Sequence, residues 1–65
     1  MTKFYDSAGN YKAYSKDDKH IFSDKDEHIG YIQNGFLYDP KGFAIAHLRG
    51  KEIIAKNGQL MFKAE

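Results

Sequence analysis

The sequence predicts an all-β fold, on the evidence of regularly spaced glycines, short apolar segments and an internal repeat. Gly35, Gly42, Gly50 and Gly58 lie seven or eight residues apart, each within a polar group typical of turns. The segments of about five residues between them are rich in aromatic and β-branched side chains, which suits strands. With 65 residues and no cysteine, the chain has room for a single domain spanning residues 1–65.

The internal repeat superposes the chain on itself four times. Shifts of 17, 16 and 16 residues place Tyr5 over Phe22, Tyr38 and Ile54. Each unit contains a strand, a turn similar to Asp-x-x-Gly, a second strand and a polar turn, so it has the length of a two-stranded hairpin. We therefore predict four two-stranded hairpin repeats around a pseudo-fourfold axis, or a small closed barrel.

Turns are expected both within and between the hairpins. The turn position of the repeat holds Gly9, Asp26, Gly42 and Gly58, which are residue types that tolerate positive φ. A helix over residues 41–56 is the competing interpretation, but a glycine in its middle would cost about 1 kcal/mol. Turns within hairpins are predicted at 7–10, 24–27, 40–42 and 56–58, and turns between hairpins at 16–18, 33–35 and 49–51.

The repeat also predicts the core, because the position before Tyr5 and its equivalents is apolar in every unit. Small residues occupy another position in three units, as Ala13, Gly30 and Ala46, and indicate a strand centre that another segment approaches closely. Lys12 departs from a column that otherwise holds two isoleucines and a methionine. The residues predicted to be mostly buried are Phe4, Ile21, Leu37, Ile53, Ile29, Ile45, Met61, Ile32 and Leu48.

The sequence contains two similar segments, each followed by an alanine-centred strand. They are Tyr5-Asp6-Ser7-Ala8-Gly9-Asn10 and Tyr38-Asp39-Pro40-Lys41-Gly42-Phe43. They resemble the small bacterial domains called the four-fold β-flower, in which four hairpin petals surround a pseudo-fourfold axis. They are also similar to the YD-type repeats of large bacterial surface and toxin shells, which need long arrays. The β-flower resemblance covers nearly all of the chain and implies no established activity, cofactor or catalytic residue.

The charge distribution weighs against a dedicated nucleic-acid or membrane-surface protein. The net charge is +1, with five lysines against seven acids in residues 1–39 and five basic residues against two acids in residues 40–65. The two parts therefore carry −2 and +3, without the concentrated positive charge that phosphate binding requires. The sequence has neither an apolar run of about 18 residues nor a secretory h-region, so we expect a cytoplasmic location.

No motif for metal binding or catalysis stands out. The stretch 24–28, with Asp17, Asp18 and His20 nearby, is the richest in carboxylates and histidine, but it lacks the spacing of an EF-hand or a zinc motif. It has the composition of solvated turns. The chain has no nucleophile elbow and no cysteine. We therefore predict no catalytic residue, metal ligand or cofactor, and no enzyme activity.

One column of the repeat provides the candidate binding residues. Equivalent positions on four hairpins are expected to form a ring on one face, and their aromatic and polar groups suit contact with a protein or a small polar ligand. In the competing interpretation these amphipathic side chains only cover the sheet, with their tips in water. The candidates are Tyr14, Tyr31, His47 and Lys63.

These observations predict a small, non-catalytic binding or assembly module of bacterial or phage type. Few large apolar residues, no disulfide and unpaired hairpin edges favour contact with a protein partner or homo-oligomerisation. The alternative is a small β-barrel that binds nucleic acid through Phe43, Phe62 and the basic residues of the last third. Only five basic charges are available for it, and Phe43 is expected in the core, so this interpretation is the weaker one.

Overall fold

The computed structural model describes all 65 residues, which form eight antiparallel strands connected in chain order. Because the first strand also pairs with the last, the sheet closes into a barrel. The all-β prediction is confirmed, and two strands replace the competing helix. The structure has no helix long and apolar enough to cross a membrane. The strands are β1 (Thr2–Tyr5), β2 (Tyr11–Ser15), β3 (His20–Ser23), β4 (His28–Gln33), β5 (Phe36–Tyr38), β6 (Ala44–Arg49), β7 (Glu52–Ala55) and β8 (Leu60–Ala64).

Successive strand pairs form four hairpins, numbered 1 (β1 and β2), 2 (β3 and β4), 3 (β5 and β6) and 4 (β7 and β8), and all four contain the same β-bulge. In hairpin 2, Ile21 pairs with Gly30 and Phe22 with His28, so Ile29 is an extra residue on β4. The bulge residues of the other hairpins are Lys12, Ile45 and Met61. The bulge residue is Lys12 in hairpin 1, where it is exposed, so this position does not require a core side chain.

The turns within the hairpins confirm the predicted use of positive φ. In hairpin 1 the N–H of Asp6 donates to the carbonyl of Asn10 at 2.9 Å, and the N–H of Gly9 donates back to the carbonyl of Asp6 at 3.0 Å. Gly9 has φ +86°, and Asp26, at the equivalent position, has φ +66°. Aspartate is one of the few residue types with a side chain that adopts this conformation.

Only part of the predicted core is fully buried. Phe4, Ile21, Leu37 and Ile53 form its centre, as predicted, together with two alanines. The other five predicted residues are less completely buried and pack against this centre. Three of them are bulge residues and two line an open end of the barrel, so none is enclosed on every side. These five are Ile29, Ile45, Met61, Ile32 and Leu48.

Gly30 confirms that the small-residue column marks a close approach of backbone. A Cβ atom built at this position would collide with the carbonyl oxygen of Tyr38 and lie 3.1 Å from its carbonyl carbon. The approaching segment is therefore the end of β5 in the next hairpin. Phe43 was expected in the core, and this prediction was wrong. Its side chain is 67% exposed, immediately before β6 begins.

Closure of the barrel corrects the expectation of unpaired hairpin edges. Phe4 and Tyr5 of β1 pair with Ala64 and Lys63 of β8. The N–H of Glu65 adds a hydrogen bond of 3.1 Å to the carbonyl of Lys3. Every strand thus has two neighbours, and association with another molecule has to use the outer wall or the ends of the barrel instead of strand addition.

Candidate functional site

The four predicted binding residues lie on the outer wall of the barrel. Tyr14, Tyr31, His47 and Lys63 occupy alternate strands, and the residue before each of the first three is buried, so the four side chains point outward. Alternate strands of an eight-stranded barrel are about a quarter turn apart, which separates the four side chains from one another. They form a ring around the wall, and each has its own neighbours. Their role in binding stays a prediction.

Tyr14 is held on the wall by two contacts. Its hydroxyl donates a hydrogen bond of 2.6 Å to Oδ1 of Asp26, and its ring stacks on Phe22 with the ring centroids 5.7 Å apart. The hydrogen bond to Asp26 raises the pKa of Tyr14, because ionisation would remove the donor and place two negative charges together. Tyr14 is therefore a neutral hydrogen-bond donor over the physiological pH range, with one face of its ring covered.

Tyr31 is the middle residue of an aromatic row. It pairs with His20 on one side and with Tyr38 on the other. Its ring stacks on that of Tyr38 at a centroid distance of 5.4 Å and an interplanar angle of 18°, and it lies 6.4 Å from the ring of His20. The Tyr31–Tyr38 stack thus adds a side-chain contact to the backbone pairing that joins hairpin 2 to hairpin 3.

His47 and Lys63 have less aromatic surroundings. His47 pairs with Phe36 and Ile54, while Lys63 pairs with Glu52 and Tyr5. Both side chains are exposed. The structure therefore divides the predicted set into two tyrosines with aromatic neighbours and two exposed basic residues on the other half of the wall.

A continuous aromatic surface, termed here the aromatic belt, covers the outer wall from β2 to β5. Neighbouring ring centroids along it are 5.3 to 6.5 Å apart, within the range of favourable aromatic contacts. His28 and Phe36 are exposed, the latter by 46%, and the other members are half-buried. The seven members, in spatial order, are Tyr14, Phe22, His28, His20, Tyr31, Tyr38 and Phe36.

Five members of the aromatic belt were not among the predicted binding residues. Each is located on the outer face by strand alternation, but which of them touch depends on the bulges. In hairpin 2 the bulge places His28 opposite Phe22 and thereby on the same outer face as His20. Counting the aromatic residues at the outward-facing positions of each hairpin would have indicated these five residues from the sequence.

The aromatic belt lies in an acidic part of the chain. Residues 14–38 contain three lysines and five acids, which gives a net charge of −2. One of these acids, Asp17, accepts the backbone N–H groups of His20 and Lys19 at 2.9 and 3.0 Å. These hydrogen bonds, assisted by the charge of His20, hold the pKa of Asp17 below its usual value. Asp17 is therefore ionised beside His20, the middle member of the aromatic belt.

A small cavity of about 160 Å³ opens at the end of the barrel where the hairpins are joined to one another. Its apolar lining includes Phe4, Ile53 and Leu48. On its polar side, Oγ1 of Thr2 donates a hydrogen bond of 2.6 Å to Oδ1 of Asp18. The cavity has the size for a single small apolar group.

Metal-ligating side chains do not form clusters of three or more in this structure. Within the stretch noted in the sequence for its carboxylates and histidine, His28 lies against His20. The two imidazoles are 3.4 Å apart, measured from Nδ1 of His20 to Nε2 of His28. The pairing of β3 with β4 within hairpin 2 produces this pair.

The fold defines the chain as a small closed β-barrel built from four repeated hairpins. Over residues 2–64 the chain matches the family described as "4-fold beta flower protein", and it belongs to that family. The resemblance inferred from the Asp6 and Asp39 turns is thus confirmed. No curated protein and no solved structure shows significant similarity to the chain. The family description specifies no activity or partner, so function has to be argued from the surface.

Proposed function

We propose that the protein is a non-catalytic binding or assembly module that contacts a protein partner, or a second copy of itself, through the aromatic belt. The supporting observation is the continuity of seven aromatic and histidine rings across four neighbouring strands. Tyrosine and phenylalanine are enriched at protein interfaces, where they contribute large contact areas. Cross-strand stacking already orients several rings, which lowers the entropy cost of binding.

Two further features support this proposal. The closed barrel leaves no strand edge for pairing with another chain, so side chains of the wall are the available contact surface. The cavity of about 160 Å³ is smaller than the clefts of roughly 300 Å³ or more in which enzymes and receptors bind small molecules. Both features favour recognition of a protein surface over catalysis on a small substrate.

Charge argues against nucleic acid as the ligand of the aromatic belt. Base stacking on aromatic side chains works together with a basic groove that follows the phosphates. The stretch carrying the aromatic belt has a net charge of −2, whereas Lys41, Arg49, Lys51 and Lys56 belong to hairpins 3 and 4. The small nucleic-acid-binding barrel is therefore the alternative with less support, and it predicts a salt-dependent mobility shift with single-stranded oligonucleotides.

Light scattering after size exclusion, at increasing protein concentration, tests the proposal with two variants at equivalent positions. Tyr31→Ala removes the centre of the aromatic belt, and Lys63→Ala changes the corresponding position of hairpin 4. We expect the mass of the wild type to rise above the monomer value of 7.5 kDa. Lys63→Ala should follow the wild type, and Tyr31→Ala should remain a monomer with its circular dichroism unchanged.

A wild type that stays monomeric at millimolar concentration rejects self-association. Binding to a protein partner then has to be tested with the same variants immobilised as bait. A partner retained by the wild type and by Lys63→Ala, but not by Tyr31→Ala or Phe36→Ser, supports the aromatic belt. Equal retention by all four proteins contradicts it.

A further inference from the structure

We propose that His20 and His28 form a two-histidine binding site for a tetrahedral transition-metal ion, with Zn²⁺ as the best fit. The site lies on the outer wall of hairpin 2, where β3 and β4 are paired. The two ligand atoms are Nδ1 of His20 and Nε2 of His28. This proposal is independent of the proposed function, because the metal would bind whether or not the aromatic belt contacts a protein.

The separation of the two nitrogens carries the inference. Nδ1 of His20 and Nε2 of His28 are 3.4 Å apart. Zinc binds imidazole nitrogen at about 2.0 to 2.1 Å, so two nitrogens of a tetrahedral site lie about 3.3 to 3.4 Å from each other. Adjacent ligands at a right angle would be separated by only about 2.8 to 3.0 Å at the same bond length. The separation therefore fits tetrahedral coordination of one ion by both nitrogens.

The bulge of hairpin 2 creates this pair. His28 pairs with Phe22 because Ile29 is an extra residue on β4. If β3 and β4 were paired regularly, without the bulge, Phe22 would pair with Ile29. His28 would then lie on the opposite face of the sheet from His20. His20 and His28 are instead diagonal neighbours on the outer face, at a spacing that side chains of this length bridge.

The other hairpins share this bulge but not the two ligands. The equivalent diagonal holds Lys3 and Tyr11 in hairpin 1, Phe36 and Ala44 in hairpin 3, and Glu52 and Leu60 in hairpin 4. The diagonal arrangement is thus a property of the repeated backbone. Two imidazoles on it are a property of hairpin 2 alone.

The surroundings of the pair favour a cation and restrict the rings. The ring of Phe22 lies 5.3 Å from that of His28, and the ring of Tyr31 lies 6.4 Å from that of His20. Oδ1 of Asp17 accepts the backbone N–H of His20 at 2.9 Å, which places a carboxylate near the pair. A carboxylate at this range stabilises positive charge on the pair.

Proton balance is simple for two neutral imidazoles. In the free pair, one ring donates its N–H to the nitrogen of the other. In the metal complex the proton of His20 resides on Nε2 and that of His28 on Nδ1, so one ring changes tautomer and no proton is released. With no third metal-ligating side chain clustered here, water or a donor from another molecule would complete the coordination.

A thermal shift experiment with ZnCl₂ on the tag-free chain tests the site. At a Zn²⁺ concentration about ten times the dissociation constant, linkage predicts a rise in Tm of about 6 to 11 °C for a domain of this size. His20→Gln and His28→Gln should each abolish the rise. His47→Gln is the matched control, since it removes the third histidine of the chain, and should keep the rise in full.

Two spectroscopic measurements make the test independent of stability. Zinc should shift the ¹⁵N resonances of Nδ1 of His20 and Nε2 of His28 and leave those of His47 unchanged. Co²⁺ should give the intense visible absorption of a tetrahedral complex, and His28→Gln should lose it. An absence of any shift at millimolar Zn²⁺ would overturn the proposal, and so would equal binding by the His28→Gln variant.

Discussion

Hairpins 2 and 4 have the same backbone plan and almost no outer side chain in common. Both contain the bulge, and a fully buried isoleucine, Ile21 or Ile53, occupies the same place in each. On the outer wall, hairpin 2 carries aromatic and histidine side chains, whereas hairpin 4 carries Glu52, Ile54 and Lys63 at the corresponding positions. The inner positions therefore maintain the repeat, and the outer positions are free to diverge and to acquire function.

The two hairpins also differ in their turns. In hairpin 2, Oγ of Ser23 accepts the N–H groups of Lys25 and Glu27 at 3.1 and 3.2 Å. The equivalent residue of hairpin 4 is Ala55, which has no acceptor, although the backbone hydrogen bonds of that turn are of similar length. The turn conformation thus forms without an acceptor at this position, and in hairpin 4 the N–H of Gln59 donates instead to Oδ1 of Asn57 at 3.0 Å.

The largest expected effect is at the inner position that the two hairpins share. Ile21→Ala and Ile53→Ala should each lower the free energy of unfolding by about 2 to 5 kcal/mol, measured by urea titration, because both side chains are almost completely buried. Ile45→Ala, at the half-buried bulge of hairpin 3, should cost less. A loss for Ile45→Ala that equals or exceeds the loss for Ile53→Ala would contradict the assigned bulges.

Hairpins 2 and 4 also differ in the size of the residue at one central position, which is Gly30 in hairpin 2 and Phe62 in hairpin 4. Gly30→Ala should destabilise the protein by about 2 to 3 kcal/mol, because the new methyl group would collide with the carbonyl of Tyr38. Ala46→Gly, the reverse change at the equivalent position of hairpin 3, should cost only about 0.5 to 1 kcal/mol. Wild-type thermal stability in Gly30→Ala would show that β4 and β5 are farther apart than described.

Reciprocal substitutions in the turns sharpen the comparison further. Ser23→Ala should lower the free energy of unfolding by about 0.5 to 1.5 kcal/mol, because the N–H groups of Lys25 and Glu27 lose their acceptor. Ala55→Ser introduces a hydroxyl acceptor for the N–H of Asn57 in hairpin 4 and should raise stability by a smaller amount, because the N–H of Gln59 already donates to Oδ1 of Asn57. Chemical denaturation of both variants measures the changes, and a destabilised Ala55→Ser would mean that the two turns are not equivalent.

The smallest expected effect concerns acid. Asp17, just before hairpin 2, has a pKa below its ordinary value of 3.8, chiefly because it accepts the N–H groups of His20 and Lys19. A lowered pKa in the folded state stabilises the protein above pH 3.8, and this contribution is lost as the pH falls through the folded value. The turn before hairpin 4, Arg49-Gly50-Lys51, has no carboxylate.

Asp17→Asn should therefore flatten the dependence of unfolding free energy on pH between about pH 4 and pH 2. Urea titrations at several pH values in this interval measure the slope. Lys51→Gln, in the corresponding turn before hairpin 4, is the control and should keep the slope of the wild type. An unchanged slope in Asp17→Asn would show that this carboxylate does not titrate with folding.

The aromatic belt was only partly predicted from the sequence. Two of its members, Tyr14 and Tyr31, were among the predicted binding residues, because equivalent positions on four hairpins were expected to form a ring on one face. His20 and His28 were noted in the sequence only as part of an acidic stretch. Their contact was not predicted, because a separation of eight residues across a turn does not fix which face of β4 carries His28, and the bulge at Ile29 decides that.

The sequence by itself determined the hairpins, the turns and the centre of the core. These features depend on local properties, namely the alternation of apolar residues along a strand and the freedom of glycine to adopt positive φ, which Gly9 illustrates. A repeat strengthens them because every unit gives the same answer. Phe4, Ile21, Leu37 and Ile53 were identified in this way and are buried.

Only the tertiary structure decided closure, the half-burial of Ile32 and Leu48, and the contacts of the outer wall. Closure requires β1 to meet β8 across the whole length of the chain, and no local pattern records that pairing. Burial at the ends of the barrel depends on how far they open, and the outer contacts depend on bulges that shift the register by one residue. Such features arise from the summed geometry of eight strands, so single segments of sequence do not specify them.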